Sequence, residues 1–115
     1  MKTSELTRHA LNWAVAKCEG ATDAWRGDGP FWWDGVPCIR SGGHDVNYRP
    51  STDWAQGGPI IERERIDVLY EHDLRWIAVP QKGIESYGPT PLIAAMRCYV
   101  ASKLGDDIEI PEELK

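Results

Sequence analysis

The stretch Thr90-Pro91-Leu92-Ile93-Ala94-Ala95-Met96-Arg97-Cys98-Tyr99-Val100-Ala101-Ser102-Lys103-Leu104-Gly105 decides the fold. Threonine before proline is a strong helix start. The hydroxyl can accept an orphan amide, and the N–H that proline lacks is not needed at the first position. From Leu92 to Leu104 only Arg97, Ser102 and Lys103 interrupt the apolar run, and Gly105 supplies a stop. A helix that is apolar nearly all round is buried nearly all round. This reads as the central core helix.

Just upstream, Ile66 to Tyr70 and Leu74 to Val79 alternate in the manner of strands, joined by the polar turn Glu71-His72-Asp73. They predict an antiparallel hairpin that ends at Pro80, followed by a loop over Gly83 to Gly88. Before it, Ser51-Thr52-Asp53 offers capping side chains, and Trp54 to Arg65 is helix-like but interrupted by Gly57-Gly58-Pro59. Proline is costly inside a helix. The simplest reading is one turn at 53–56 and a short helix from Pro59, with a continuous kinked helix as the alternative. Residues 4 to 18 predict an amphipathic helix, with Leu6, Ala10, Trp13, Ala14 and Cys18 on the buried face and Arg8, Asn12 and Glu19 toward water. Between these, glycine and proline break the pattern from 19 to 50. Phe31–Trp33 and Val36–Arg40 around Asp34-Gly35 suggest a hairpin there. In the tail, Ile108 and Ile110 would form an edge strand or dock on the surface.

The expected fold is one α+β domain over 1–115. It has an antiparallel sheet of about three to five strands, an N-terminal helix, a short central helix and the long C-terminal core helix. The Gly/Trp-rich stretch 21–47 reads as a variable insert and 106–115 as an acidic tail. A chain of 115 residues, 42% hydrophobic and 27% charged, is in the globular range. No apolar run approaches the length a membrane span needs, and the first residues lack a secretory pattern, so the expectation is a cytoplasmic protein without membrane contact. Three widely spaced cysteines argue against a disulfide framework. The net charge of −5 speaks against nucleic-acid binding. Much of that acidity sits in Asp106, Asp107, Glu109, Glu112 and Glu113, which leaves room for a basic pocket built from Arg63, Arg65, Arg75 and Arg97.

The segments Pro50-Ser51-Thr52-Asp53-Trp54-Ala55-Gln56-Gly57-Gly58-Pro59-Ile60-Ile61-Glu62-Arg63 and Gly88-Pro89-Thr90-Pro91-Leu92-Ile93-Ala94-Ala95-Met96-Arg97-Cys98 resemble a family of small bacteriophage proteins of unknown function, the NinX-like proteins. The start, Lys2 to Thr7, and the end, Ala101 to Asp106, look like the same family. More distantly, the order of elements is similar to the phage ABA-sandwich domain, which implies an antiparallel sheet with helices on its faces. The resemblance implies a phage protein acting in the bacterial host and brings no reaction with it.

Candidate chemistry comes from the residues. Asp53 and Thr90 stand at helix starts, where free amides attract anions but where capping is the commoner role. Gln56-Gly57-Gly58-Pro59 would let backbone approach a ligand closely, or serve only as a kink. Arg63 could turn toward that bend to hold a phosphate, and otherwise joins the solvated run Glu62 to Arg65. Trp32, Trp33 and Trp54 could clamp a ring or pack in the core, and Trp25 is in the same position. No Walker loop, dinucleotide fingerprint or metal-ligand spacing occurs, and His44-Asp45 lacks a nucleophile. The leading expectation is a non-enzymatic accessory protein with no cofactor. It would bind a small anionic or nucleotide-like ligand through Trp32, Trp33, Asp53, Trp54, Gln56, Gly57, Gly58, Arg63 and Thr90, and would sequester a host immune signal. The alternative is a protein–protein inhibitor or DNA mimic directed at a host protein. Assembly as a homodimer is compatible with either.

Overall fold

A computed structural model describes residues 1–23 and 29–114. Trp25, one of the candidate ring contacts, lies outside them. The elements in chain order are a 3-10 turn at Thr3–Glu5, α1 (Arg8–Cys18), β1 (Phe31–Trp33), β2 (Val36–Ser41), β3 (His44–Asn47), α2 (Trp54–Glu64), β4 (Asp67–His72), β5 (Arg75–Val79), β6 (Ser86–Gly88), α3 (Pro91–Leu104) and a 3-10 turn at Glu112–Leu114. This is the expected α+β arrangement of three helices and antiparallel strands. The strands divide into two three-stranded sheets, β1-β2-β3 and β4-β5-β6.

The C-terminal helix is the centre. Leu92, Ala94, Ala95, Met96, Cys98, Tyr99 and Val100 are all buried, and Thr90 caps the start by accepting from the Ile93 amide at 3.1 Å. One face of β4-β5-β6 lies on it. Val68 pairs with Ala78 and Ala78 with Ser86, while Leu69, Ile77 and Tyr87 pair on the other face. The last strand was expected as loop. It is held at Gly88, where a Cβ would lie 2.7 Å from the Ala94 nitrogen, so only glycine lets β6 approach α3 this closely.

The first sheet is two tight hairpins. Asp34-Gly35 joins the Trp33–Val36 pair and Gly42-Gly43 joins the Ser41–His44 pair, and all four turn residues have positive φ. That is the geometry two-residue hairpins favour. The strand β3, unforeseen in the sequence, follows from the second turn.

Three expectations are corrected. The first helix begins at Arg8 rather than near residue 4, because Leu6 and Thr7 are extended. The hydroxyl of the buried Thr3 donates to the Gly105 carbonyl at 2.6 Å. Asn12, expected toward water, is only 7% exposed, because its Oδ1 accepts from the Ser51 amide (3.1 Å) and hydroxyl (2.7 Å). The second helix runs unbroken through Pro59. Ile108 and Ile110 dock on the core without forming a strand. No helix among the described residues is long and apolar enough to cross a membrane.

Candidate functional site

The residues expected to grip a ligand do not converge. Asp53 caps α2 by accepting from the Ala55 amide at 2.9 Å. Gln56 accepts from the Arg49 amide at 2.5 Å. Gly57 is inside α2, its amide bonded to the Asp53 carbonyl at 2.9 Å. A Cβ there would meet the Pro50 oxygen at 2.3 Å and a Leu92 methyl at 2.6 Å. The glycine bend is therefore packed shut, and the reading of it as an open backbone turn at a helix start is corrected. Beside it, Gly58 meets nothing nearer than the Trp54 ring at 3.9 Å. Trp32 is half-buried against Trp13, with centroids 5.9 Å apart, whereas Trp33 and Trp54 are 70% and 56% exposed.

Arg63 is committed elsewhere. It forms a fork to Glu19 at 3.0 and 2.7 Å, reaches Glu64 at 2.9 Å, and donates to the Tyr99 hydroxyl at 3.2 Å. The Tyr99 hydroxyl in turn donates to Glu19. This cluster clamps α1, α2 and α3 together. Burial first, and Glu19 second, push the neighbouring Cys18 thiol up to about 12 and raise the Tyr48 and Tyr99 phenols. Among the described residues no group of three His, Cys, Asp or Glu side chains could hold a metal ion. His44 and Asp45 are successive residues of a strand and so face opposite ways. Asp45 is paired with Arg40 at 3.0 Å.

Two clefts lie elsewhere, and none of the nine residues expected to contact the ligand lines either. The first, about 740 Å³, opens between β6, α3 and the chain start. Of the four arginines considered for a basic pocket, it collects Arg75 and Arg97 and leaves out Arg63 and Arg65. Arg97 is half-buried. Its Nε donates to the Leu6 carbonyl at 2.9 Å and its Nη1 to the Tyr87 carbonyl at 2.8 Å. Both acceptors are neutral, and burial lowers the guanidinium below its usual range. Arg75 lies 3.8 Å over the Tyr87 ring and is paired with Glu71 at 3.3 Å. Lys2 completes the cationic wall. Three carboxylates, Glu85, Asp106 and Asp107, also line the cleft. Asp107 holds the terminal ammonium at 3.1 Å, which keeps its carboxyl below the usual range, and Glu85 accepts from the Tyr87 hydroxyl at 3.2 Å. Leu74, Ile84 and Ala101 add apolar surface.

The second cleft, about 540 Å³, lies between the start of α1, the β1–β2 turn and residues 47–52. Arg8, His9, Asn12 and Arg49 line it, and no carboxylate side chain is among the described residues that do. The sequence held a signal for Asn12 that the face-by-face reading missed. It is the single polar residue in Ala10-Leu11-Asn12-Trp13-Ala14-Val15-Ala16, a run too uniformly apolar to have a wet side. The assembly of Arg75, Arg97 and Tyr87 depends on how β6 meets α3, which local patterning does not reveal.

A family model described as Bacteriophage P22, NinX matches residues 2–103, in line with the resemblance carried by the Pro50–Arg63 and Gly88–Cys98 segments. No curated protein matches the chain.

Proposed function

The chain belongs to the bacteriophage P22 NinX family, and from that premise we propose that it is a phage accessory protein that binds a small anionic, ring-bearing ligand without turning it over. One observation carries the reading: Arg97 is a half-buried cation whose hydrogen-bond partners among the described residues are two neutral carbonyls, on the wall of a cleft of about 740 Å³. Burying a charge without a counter-charge is costly. An anion in the cleft would offset that cost and gain a charge-assisted hydrogen bond. The stacked Arg75–Tyr87 pair and the apolar Leu74 and Ile84 suit a planar ring beside the charged group. A nucleotide-like host signal has both parts, and holding it in the host cytoplasm would be sequestration.

The test is thermal melting of the protein against a panel of cyclic and ADP-ribose-derived nucleotides, followed by calorimetry on any hit. A ligand at a hundred times its dissociation constant stabilises by about 2.7 kcal/mol. The expected result is a clear upward shift for at least one member, abolished in Arg97→Met and weakened in Arg75→Gln. No shift across the panel, or an undiminished shift in both variants, refutes the reading.

A second reading rests on the 70% and 56% exposure of Trp33 and Trp54. Exposed indoles are frequent anchors of protein interfaces, and a host protein would be the partner. Capture of a host protein lost in Trp33→Ala or Trp54→Ala, and retained in Arg97→Met, would favour it.

A further inference from the structure

Asn12 is 7% exposed, and its carboxamide orientation is fixed chemically. The atom facing the Ser51 amide and hydroxyl must be the oxygen, since the backbone amide can only donate. The NH2 group is thereby turned away from Ser51. No hydrogen bond from it is formed within the described residues, yet no buried polar side-chain atom among them lacks a partner. Both statements hold together only if Nδ2 reaches solvent, and the opening that Asn12 lines is this cleft. A residue only 7% exposed thus turns a carboxamide NH2 without a protein partner among the described residues toward a solvent-filled cleft.

The surroundings have the same polarity. Arg8 and His9 stand in the first turn of α1, and Arg49 faces them from the segment before α2. Neither arginine forms an ion pair among the described residues. Thr7, the residue at the cap position, makes no side-chain cap bond, in contrast to Asp53 and Thr90 at the other two helix starts. The first-turn amides of an uncapped helix carry partial positive charge. In a chain of net charge −5, a cleft lined by cations and amide donors, with no carboxylate side chain among the described residues that line it, selects for an acceptor-rich anion. The donor-bearing residues come from both α1 and the 47–52 segment, and a tetrahedral oxyanion offers acceptors toward both.

We propose that this cleft is a second binding site, separate from the Arg97 cleft, for a phosphate-type oxyanion held by the Asn12 carboxamide NH2, the Arg8 and Arg49 guanidinium groups and the His9 ring. The oxyanion is either free phosphate or the terminal phosphate of a nucleotide. The two clefts share no lining residue, so each can fail without the other.

The experiment is a titration of 15N-labelled protein with inorganic phosphate and, separately, with AMP, against chloride at matched ionic strength. The Asn12 side-chain amide signals are followed. Saturable movement of those signals with phosphate or AMP, and not with chloride, is expected. Tighter saturation by AMP assigns the oxyanion to a nucleotide, and equal saturation assigns it to free phosphate. Arg8→Gln and Arg49→Gln alter exposed side chains and preserve the fold. Each should weaken the apparent affinity by about fivefold, the order expected for one exposed charge contact, while Arg97→Met leaves it unchanged. Asn12→Asp keeps the acceptor for Ser51 but turns an oxygen toward the cleft, and should abolish binding in protein that melts cooperatively. Absence of saturation with both probes, equal movement with chloride, or unchanged affinity in the Arg8→Gln/Arg49→Gln double variant overturns the proposal.

Discussion

The seam along α2 and the cleft beside Arg97 both break an apolar pattern in the sequence, and they resolve in opposite ways. At the seam, two glycines and a proline interrupt a helix, yet the helix continues. Gly57 is glycine because the Pro50 carbonyl and Leu92 occupy the space of a side chain. In α3, a single arginine interrupts an apolar run, and the space around it stays open on one side. A glycine pair can signal backbone pressed against backbone as readily as backbone offered to a ligand. An arginine in a core helix has fewer outcomes. It must find acceptors, and here it finds two carbonyls and a cleft.

The sharpest way to break this contrast is to fill the seam. Gly57→Ala places a methyl group within 2.3 Å of backbone, and overpacking of this severity should cost about 3 kcal/mol or more. Urea unfolding measures it, and a loss under ~1 kcal/mol would mean that the bend is open after all. On the cleft side, Arg97→Met removes a desolvated charge along with its two hydrogen bonds. These effects oppose each other, so a loss of about 1–2 kcal/mol is expected by the same measurement. A larger loss would make Arg97 chiefly a structural pin.

The clamp beside the seam adds a pH signature. Cys18 is raised from 9.0 to about 12 and Cys98 to about 11, in both cases chiefly by burial. A folded-state pKa above the unfolded value gives stability that is fully present below about pH 9 and lost as pH rises toward the folded values. The melting temperature should therefore fall steadily between pH 9 and 11, and Cys18→Ala should flatten the slope. A melting temperature independent of pH over that range would contradict the burial of these thiols. The smallest effect belongs to Gly58, with no neighbour nearer than 3.9 Å. Gly58→Ala should be neutral or stabilising, by at most about 1 kcal/mol through helix propensity. Its contrast with Gly57→Ala is the cleanest comparison of adjacent residues in the molecule.

Much of the fold was legible because it is local. The Thr90-Pro91 start, the Gly105 stop, the β4–β5 alternation and the Asp34-Gly35 turn each declare themselves within a few residues. Where the sequence misled, the cause was a tertiary contact. Pro59 lies inside an α2 whose Gly57 is pressed against Pro50 and Leu92. Asn12 is buried because Ser51, 39 positions away, supplies its partners. The candidate sites were the least legible part. Arg75 and Arg97 were singled out as cations, but their meeting at Tyr87 depends on the β6–α3 approach at Gly88. The residues chosen for visible chemistry mostly serve structure: Asp53 and Thr90 cap, Gln56 ties down the Arg49 amide, and Arg63 clamps three helices.

The most direct test of the account is a 15N-resolved titration with ADP-ribose that compares the two regions in one sample. Saturable movement of the Arg75, Tyr87 and Arg97 signals, with Gly57 and Gly58 unmoved, is the predicted result. Movement centred on Gly57 and Gly58, or no saturable movement at Arg97, would contradict it.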